Sequence, residues 1–148
     1  MIQMQREHLS LLMEIGYIYL GMQRYSEAKN VFEGISVLEE KSEIPFVALA
    51  GVSFCQGKLK EATKLYHKAL NLNPESLYAK VYLAETLFFD GDKKEAVKLL
   101  KEVDLAEPKG PTGDFARALL DAVTKGFTPE TLSQAKELKE HYAKKKKS

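Results

Sequence analysis

Three histidines, one cysteine and a pair of aspartates are the residues whose types could carry chemistry. His8, His67 and His141 are scattered, and none has a carboxylate or cysteine partner at the spacing a metal ion needs. His67 falls on the outer face of a helical stretch and is expected at the surface. Asp90-Gly91-Asp92 looks like a fragment of a calcium loop, but the acidic positions that follow in such a loop are missing. It reads as a turn between helices. Cys55 lacks a basic neighbour in sequence that would activate it as a nucleophile. There is no glycine-rich phosphate loop and no nucleophile elbow. The residues therefore predict no enzyme, no cofactor and no metal site.

What the chain does contain is a repeated way of packing helices. Ala28, Ala62 and Ala96 are spaced by 34 residues, as are Gly57 and Gly91, and Pro74 and Pro108. A second series places one large side chain a turn later, at Phe32, Tyr66 and Leu100. A third supplies a small residue to the preceding helix, at Gly16, Ala50 and Ala84. Small residues let two helices cross closely, and the large one fills the space beside the crossing. A fixed period of 34 with this grammar is the signature of the tetratricopeptide repeat, a helix–turn–helix unit. The expected fold class is all-α: a solenoid of three such repeats with C-terminal capping helices.

The expected organisation is a single domain over 1–148, with repeats at about 9–42, 43–76 and 77–110. The paired helices run over about 9–22 and 26–38, 44–56 and 59–72, then 76–90 and 93–106. Ser26 is the expected N-cap of the second helix, and Gly57 reads as the glycine that ends the third. Lys109-Gly110-Pro111-Thr112-Gly113 reads as a loop. Capping helices are expected over about 112–146, one from Asp114 to Thr124 and one opening at Thr128-Pro129-Glu130 with Leu132, Ala135, Leu138 and Tyr142 on one face. Terminal units of a solenoid need an altered outer face. The lysines at 144–147 read as a solvated end.

Composition narrows the function classes. A net charge of +1 gives no general attraction to nucleic acid or an anionic membrane. No apolar run approaches the roughly 20 residues of a membrane span, and Met1 to Glu7 lacks the apolar core of a signal peptide. A single cysteine excludes an intrachain disulfide and suits a reducing compartment. Cytosolic residence is expected.

The informative surface is the concave side, which the first helix of each repeat lines. Register places Met13, Tyr17 and Leu20 there from the first repeat, Ile44, Val47, Phe54 and Cys55 from the second, and Tyr78, Val81, Phe88 and Phe89 from the third. Ser10, Gly21, Gly51 and Glu85 share the same positions, and only Glu85 is charged. A groove lined this way exposes more apolar surface than a soluble monomer leaves bare. The expected occupant is an amphipathic helix or an extended apolar peptide, unless the C-terminal helices fold back over it. On this reading Tyr17→Asp or Phe88→Asp abolishes partner binding and leaves the helices intact. Tetratricopeptide domains that hold the C-terminal carboxylate of heat-shock chaperones resemble one another in a clamp of Lys, Asn and Arg. The matching positions here are Met13, Tyr17, Ala48, Tyr78 and Tyr82, so that ligand is disfavoured.

The run from Gly21 to Glu39, with Val31-Phe32, Ile35 and Val37-Leu38-Glu39, resembles the first repeat of the small tetratricopeptide chaperones of bacterial type III secretion. The likeness extends over about 9–124. Chaperones of translocator proteins carry a longer helical arm before the first repeat, whereas this sequence starts about eight residues before it. Leu11-Leu12-Met13-Glu14-Ile15 is similar to the opening of the needle-subunit branch. That resemblance implies a cytosolic chaperone that holds the amphipathic helix of the needle subunit, with a small co-chaperone, and so prevents premature polymerisation. The alternatives are a translocator chaperone, whose ligand is an extended segment, and an adaptor or homodimer that uses the apolar face on itself.

Overall fold

The computed structural model describes residues 6–132. Seven helices follow one another: α1 (Arg6–Gly21), α2 (Tyr25–Leu38), α3 (Ile44–Cys55), α4 (Leu59–Leu72), α5 (Leu77–Phe89), α6 (Lys93–Ala106) and α7 (Pro111–Thr124). Residues 129–132 form the first turn of another. They pack as antiparallel pairs, α1 with α2, α3 with α4 and α5 with α6, and each pair stacks on the next. This is the three-repeat solenoid the spacing predicts.

The repeated residues account for the stacking. Ala28, Ala62 and Ala96 are fully buried, and so are Phe32 and Leu100, with Tyr66 almost so. Gly16, Ala50 and Ala84 are buried opposite them. The first pair is the most extreme, joining the smallest residue to a phenylalanine. A Cβ at Gly16 would overlap the Phe32 ring, coming within 2.7 Å of its Cζ. Overpacking of this kind costs about 1–3 kcal/mol, against about 1 kcal/mol that alanine gains over glycine in a helix. Gly16→Ala is therefore expected to lower stability in urea denaturation. Adding Phe32→Leu, which copies the Ala84 and Leu100 pairing, should restore part of the loss. A more stable Gly16→Ala chain would contradict this packing.

The turns inside the pairs share one geometry at the same period. Arg24, Lys58 and Asp92 each donate their backbone N–H to a carbonyl five residues back, on Tyr19, Ser53 and Leu87, at 2.8–2.9 Å. This is the bond pattern of a helix closed by a left-handed residue. Gly57 and Gly91 supply that residue, with φ of +76° and +94°. In the first repeat Gln23 does so, with φ +59°. The turn also sets where the next helix starts. Thus α2 begins at Tyr25 with Arg24 in the cap position, and Ser26 lies inside the helix instead of capping it. Asp92 does cap α6, accepting from the Glu95 N–H at 3.3 Å. Asp90-Gly91-Asp92 is thus the interhelix turn.

The segment read as a loop is partly helix. α7 starts at Pro111, 34 residues after the start of α5, and takes the place of the next repeat's first helix. Proline suits a first helical turn because it has no N–H to leave unpaired. Gly113 is there for space: any Cβ would run into the Glu107 carbonyl. Thr112 and Gly113 are buried in this turn, with the Thr112 hydroxyl bonded to the Glu107 carboxylate. α7 packs on both α5 and α6. Thr128 accepts from the Thr131 N–H at 3.2 Å, as an N-cap does, and Leu132 packs against the core. Ala135, Leu138, Tyr142, His141 and the lysines at 144–147 lie outside the described residues.

Candidate functional site

α1, α3 and α5 present one side of the solenoid, and a cavity of about 630 Å³ lies between them. Tyr17 and Leu20 of α1 form one wall. Ile44, Val47, Gly51, Phe54 and Cys55 of α3 line the middle, and Tyr78, Tyr82 and Glu85 of α5 the other wall. Tyr66 of α4 reaches its floor, with only 3% of its surface exposed. A second cavity of about 600 Å³ continues along α1 past Met13 and Ser10 and shares Tyr17 and Ile44 with the first. The result is an apolar trough. Tyr17, Ile44 and Tyr78 leave about half their surface bare, at 48%, 54% and 53%.

Of the eleven residues placed in the groove by register, seven line the main cavity: Tyr17, Leu20, Ile44, Val47, Phe54, Cys55 and Tyr78. Met13 lines its extension. Val81 and Phe88 do not line it. They are 1% and 3% exposed and share a core cluster with Ala116, Leu119 and Val123 of α7. The physical reason is α7. Packed against α5 and α6, it adds a layer to the third repeat, so that Val81 and Phe88, the counterparts of Val47 and Phe54 on α3, face the core while Tyr78 and Glu85 still line the cavity. Phe89 is half-buried between Phe54 and Phe88, with ring centroids at 5.8 and 5.6 Å and both pairs edge to face. It supports the wall without lining the cavity.

Two side chains that the register argument undervalued are Tyr82 and Glu85. With Tyr78 they form a stripe at spacings of four and three on α5, one helical face. Tyr82 stacks on Tyr78 at 6.2 Å and meets Phe115 of α7 edge-on at 6.0 Å. Tyr17 stands edge-on to Phe32 at 5.1 Å, so the groove wall rests on the first repeat's core ring.

The electrostatics of this floor are unusual for so apolar a surface. Burial pushes the Tyr66 phenol well above its ordinary range, with the nearby Glu85 charge adding to it. Tyr82 is raised for the same two reasons, and Tyr17 by burial and by Tyr82. All remain neutral donors at physiological pH. Glu85 itself is pushed up by burial. Its folded value exceeds the unfolded one, so it favours the fold most when protonated, below the ordinary carboxylate range. That contribution is lost as pH rises through the raised value. Glu85→Gln should therefore melt higher than wild type at about pH 7 and lose that advantage at about pH 4. Thermal melts at both pH values check it, and an advantage that persists in acid would contradict it.

Cys55 is exposed on the groove, and His8 and His67 are exposed elsewhere. Among the described residues no group of three or more His, Cys, Asp or Glu is placed to hold a metal, and no helix is long and apolar enough to cross a membrane.

Fold and groove together define the class: a tetratricopeptide-repeat solenoid with an apolar concave face. Tetratricopeptide-repeat family models match residues 9–34 and 54–120. No curated protein matches the sequence at a significant level. Among solved structures, the chain is similar to the type III secretion translocator chaperone SycD of Yersinia enterocolitica. The identity is 19%, with 80% of this chain and 91% of that one covered at a TM-score of 0.72. PcrH of Pseudomonas aeruginosa is 18% identical over 82% and 95%, with a TM-score of 0.71. SycD is also seen with a peptide of the translocator YopD, and PcrH with the chaperone-binding regions of PopD and PopB. The first tetratricopeptide domain of Spaghetti (RPAP3), bound to an HSP90 peptide, is 20% identical over 84% and 97%, with a TM-score of 0.70. At these identities the likeness is one of fold.

Proposed function

We propose that this chain is a cytoplasmic chaperone of the type III secretion kind, which holds an extended apolar segment of a translocator protein in the α1–α3–α5 groove. The observation that carries this reading is the bare apolar trough between α1, α3 and α5. The translocator complexes of SycD and PcrH support it, since they share the fold and hold peptides. The needle-subunit helix, which the resemblance at Leu11 to Ile15 implies, has no counterpart among these neighbours, and the translocator alternative takes its place. The HSP90-type ligand is disfavoured by charge. Its acidic C-terminus would meet Glu43 and Glu85, and among the described residues no lysine or arginine lines the main cavity.

Pull-down of the intact chain from native cytosol, with mass spectrometry of what co-elutes, tests the choice of partner. A large secreted protein with apolar segments is expected. A small secreted protein ending in an amphipathic helix would return the needle reading. A second reading, self-association, is favoured by Leu11 and Ile18 on α1 and Met22 just past its end, which are 55%, 61% and 57% exposed. Sedimentation of the purified chain decides that point, a stable dimer supporting it and a monomer opposing it.

A further inference from the structure

The groove has one feature that an apolar ligand does not explain. Glu85 sits among tyrosines on a wall that is otherwise apolar. Glu43, the other acid of the cavity, accepts a hydrogen bond from Asn73 at 3.0 Å. Glu85 has no such partner: among the described residues no cation pairs with it and no donor reaches it. Among the described residues no buried side-chain oxygen lacks a partner, so the Glu85 carboxylate oxygens, on a residue that lines the cavity, are open to it.

We infer that this part of the groove is a subsite for a cationic side chain, an arginine or lysine carried by an otherwise apolar partner segment, with Glu85 as its counter-charge. The inference rests on the groove being a segment-binding site. A wholly apolar segment would cover Glu85 and leave a carboxylate without water or a partner, which is strongly unfavourable. An acidic segment would add repulsion. A guanidinium or ammonium removes both costs and gains a charge-assisted hydrogen bond. Its surroundings suit a cation as well. Tyr17, Tyr66, Tyr78 and Tyr82 offer aromatic faces and neutral hydroxyls, and cations bind such faces. The methylene stem of the side chain can lie along Val47 and Phe54, which are half-buried on the adjoining helix. Arginine fits better than lysine, because its planar group both stacks on tyrosine and pairs with a carboxylate through two bonds.

The test uses the full chain and three extended peptides of alternating apolar residues, identical except for arginine, citrulline or glutamate at the centre. Citrulline keeps the shape of arginine and removes its charge. Titration calorimetry should show the wild-type chain binding the arginine peptide about tenfold tighter than the citrulline peptide, with the glutamate peptide weakest. Glu85→Gln should bind the arginine and citrulline peptides alike. Tyr78→Phe should keep the preference, and Tyr78→Leu should weaken it. Equal binding of the peptides by wild type would overturn the subsite and leave the groove reading standing. So would a preference that persists in Glu85→Gln. Binding of none of them would overturn both. A preference that emerges only when Lys144, Lys145, Lys146 and Lys147 are changed to Gln would overturn the inference by making the chain's own tail the occupant.

Discussion

Phe88→Asp is expected to unfold this chain. The side chain is 3% exposed and belongs to the cluster that joins α5, α6 and α7. Removing a buried phenylalanine costs about 3–5 kcal/mol from lost transfer energy and the cavity left behind. Placing an unpaired carboxylate there adds the cost of desolvating a charge or of protonating it. The sum reaches the whole stability of an ordinary domain, about 5–15 kcal/mol. Circular dichroism should show the helical signal largely lost or the urea midpoint close to zero. A Phe88→Asp chain that keeps its helices and loses only its partner would restore Phe88 to the groove and contradict the packing of α7.

Tyr78→Asp should do the reverse. Tyr78 lies on the same helix but stands 53% exposed on the groove wall. Surface substitutions of this kind change stability by about 0.5 kcal/mol. For binding the effect is large. Exposed tyrosines at the centre of an apolar groove are typical anchors, worth about 2–4 kcal/mol, or a loss of about thirtyfold to a thousandfold in affinity. The introduced carboxylate would also stand one turn from Tyr82 and near Glu85, where like charge deepens the loss for any partner that is not cationic. Equilibrium binding beside a melting curve separates the two effects. Undiminished binding by Tyr78→Asp would remove the α5 wall from the interface.

The contrast between these two residues shows where the sequence stops. The solenoid was legible because each repeat uses the same crossing, so one small and one large residue recur at 34, and the glycines of two turns recur with them. The first turn was fainter because Gln23 takes the left-handed position without being a glycine. The groove was legible on α1 and α3, where the positions read by register do line the cavity. It failed at Val81 and Phe88 because burial on α5 depends on a neighbour outside the repeat pattern. α7 begins in a stretch whose glycines and proline look like a loop. There Pro111 starts a helix and Gly113 answers to crowding against Glu107. Glu85 was visible as the one charge on the inward positions, but that no cation among the described residues pairs with it is a matter of how the helices pack, which spacing does not show.

The most direct measurement uses the chain's single cysteine, Cys55, which is exposed on the groove wall. A photoreactive group attached there, in the chain bound to its cellular partner, should form an adduct with one short apolar segment of a secreted protein. The same adduct should be lost in Tyr78→Asp while the helical spectrum stays. Adducts only with a second copy of the chain, or adducts that Tyr78→Asp leaves unchanged, would contradict the groove as the site where this protein holds its partner.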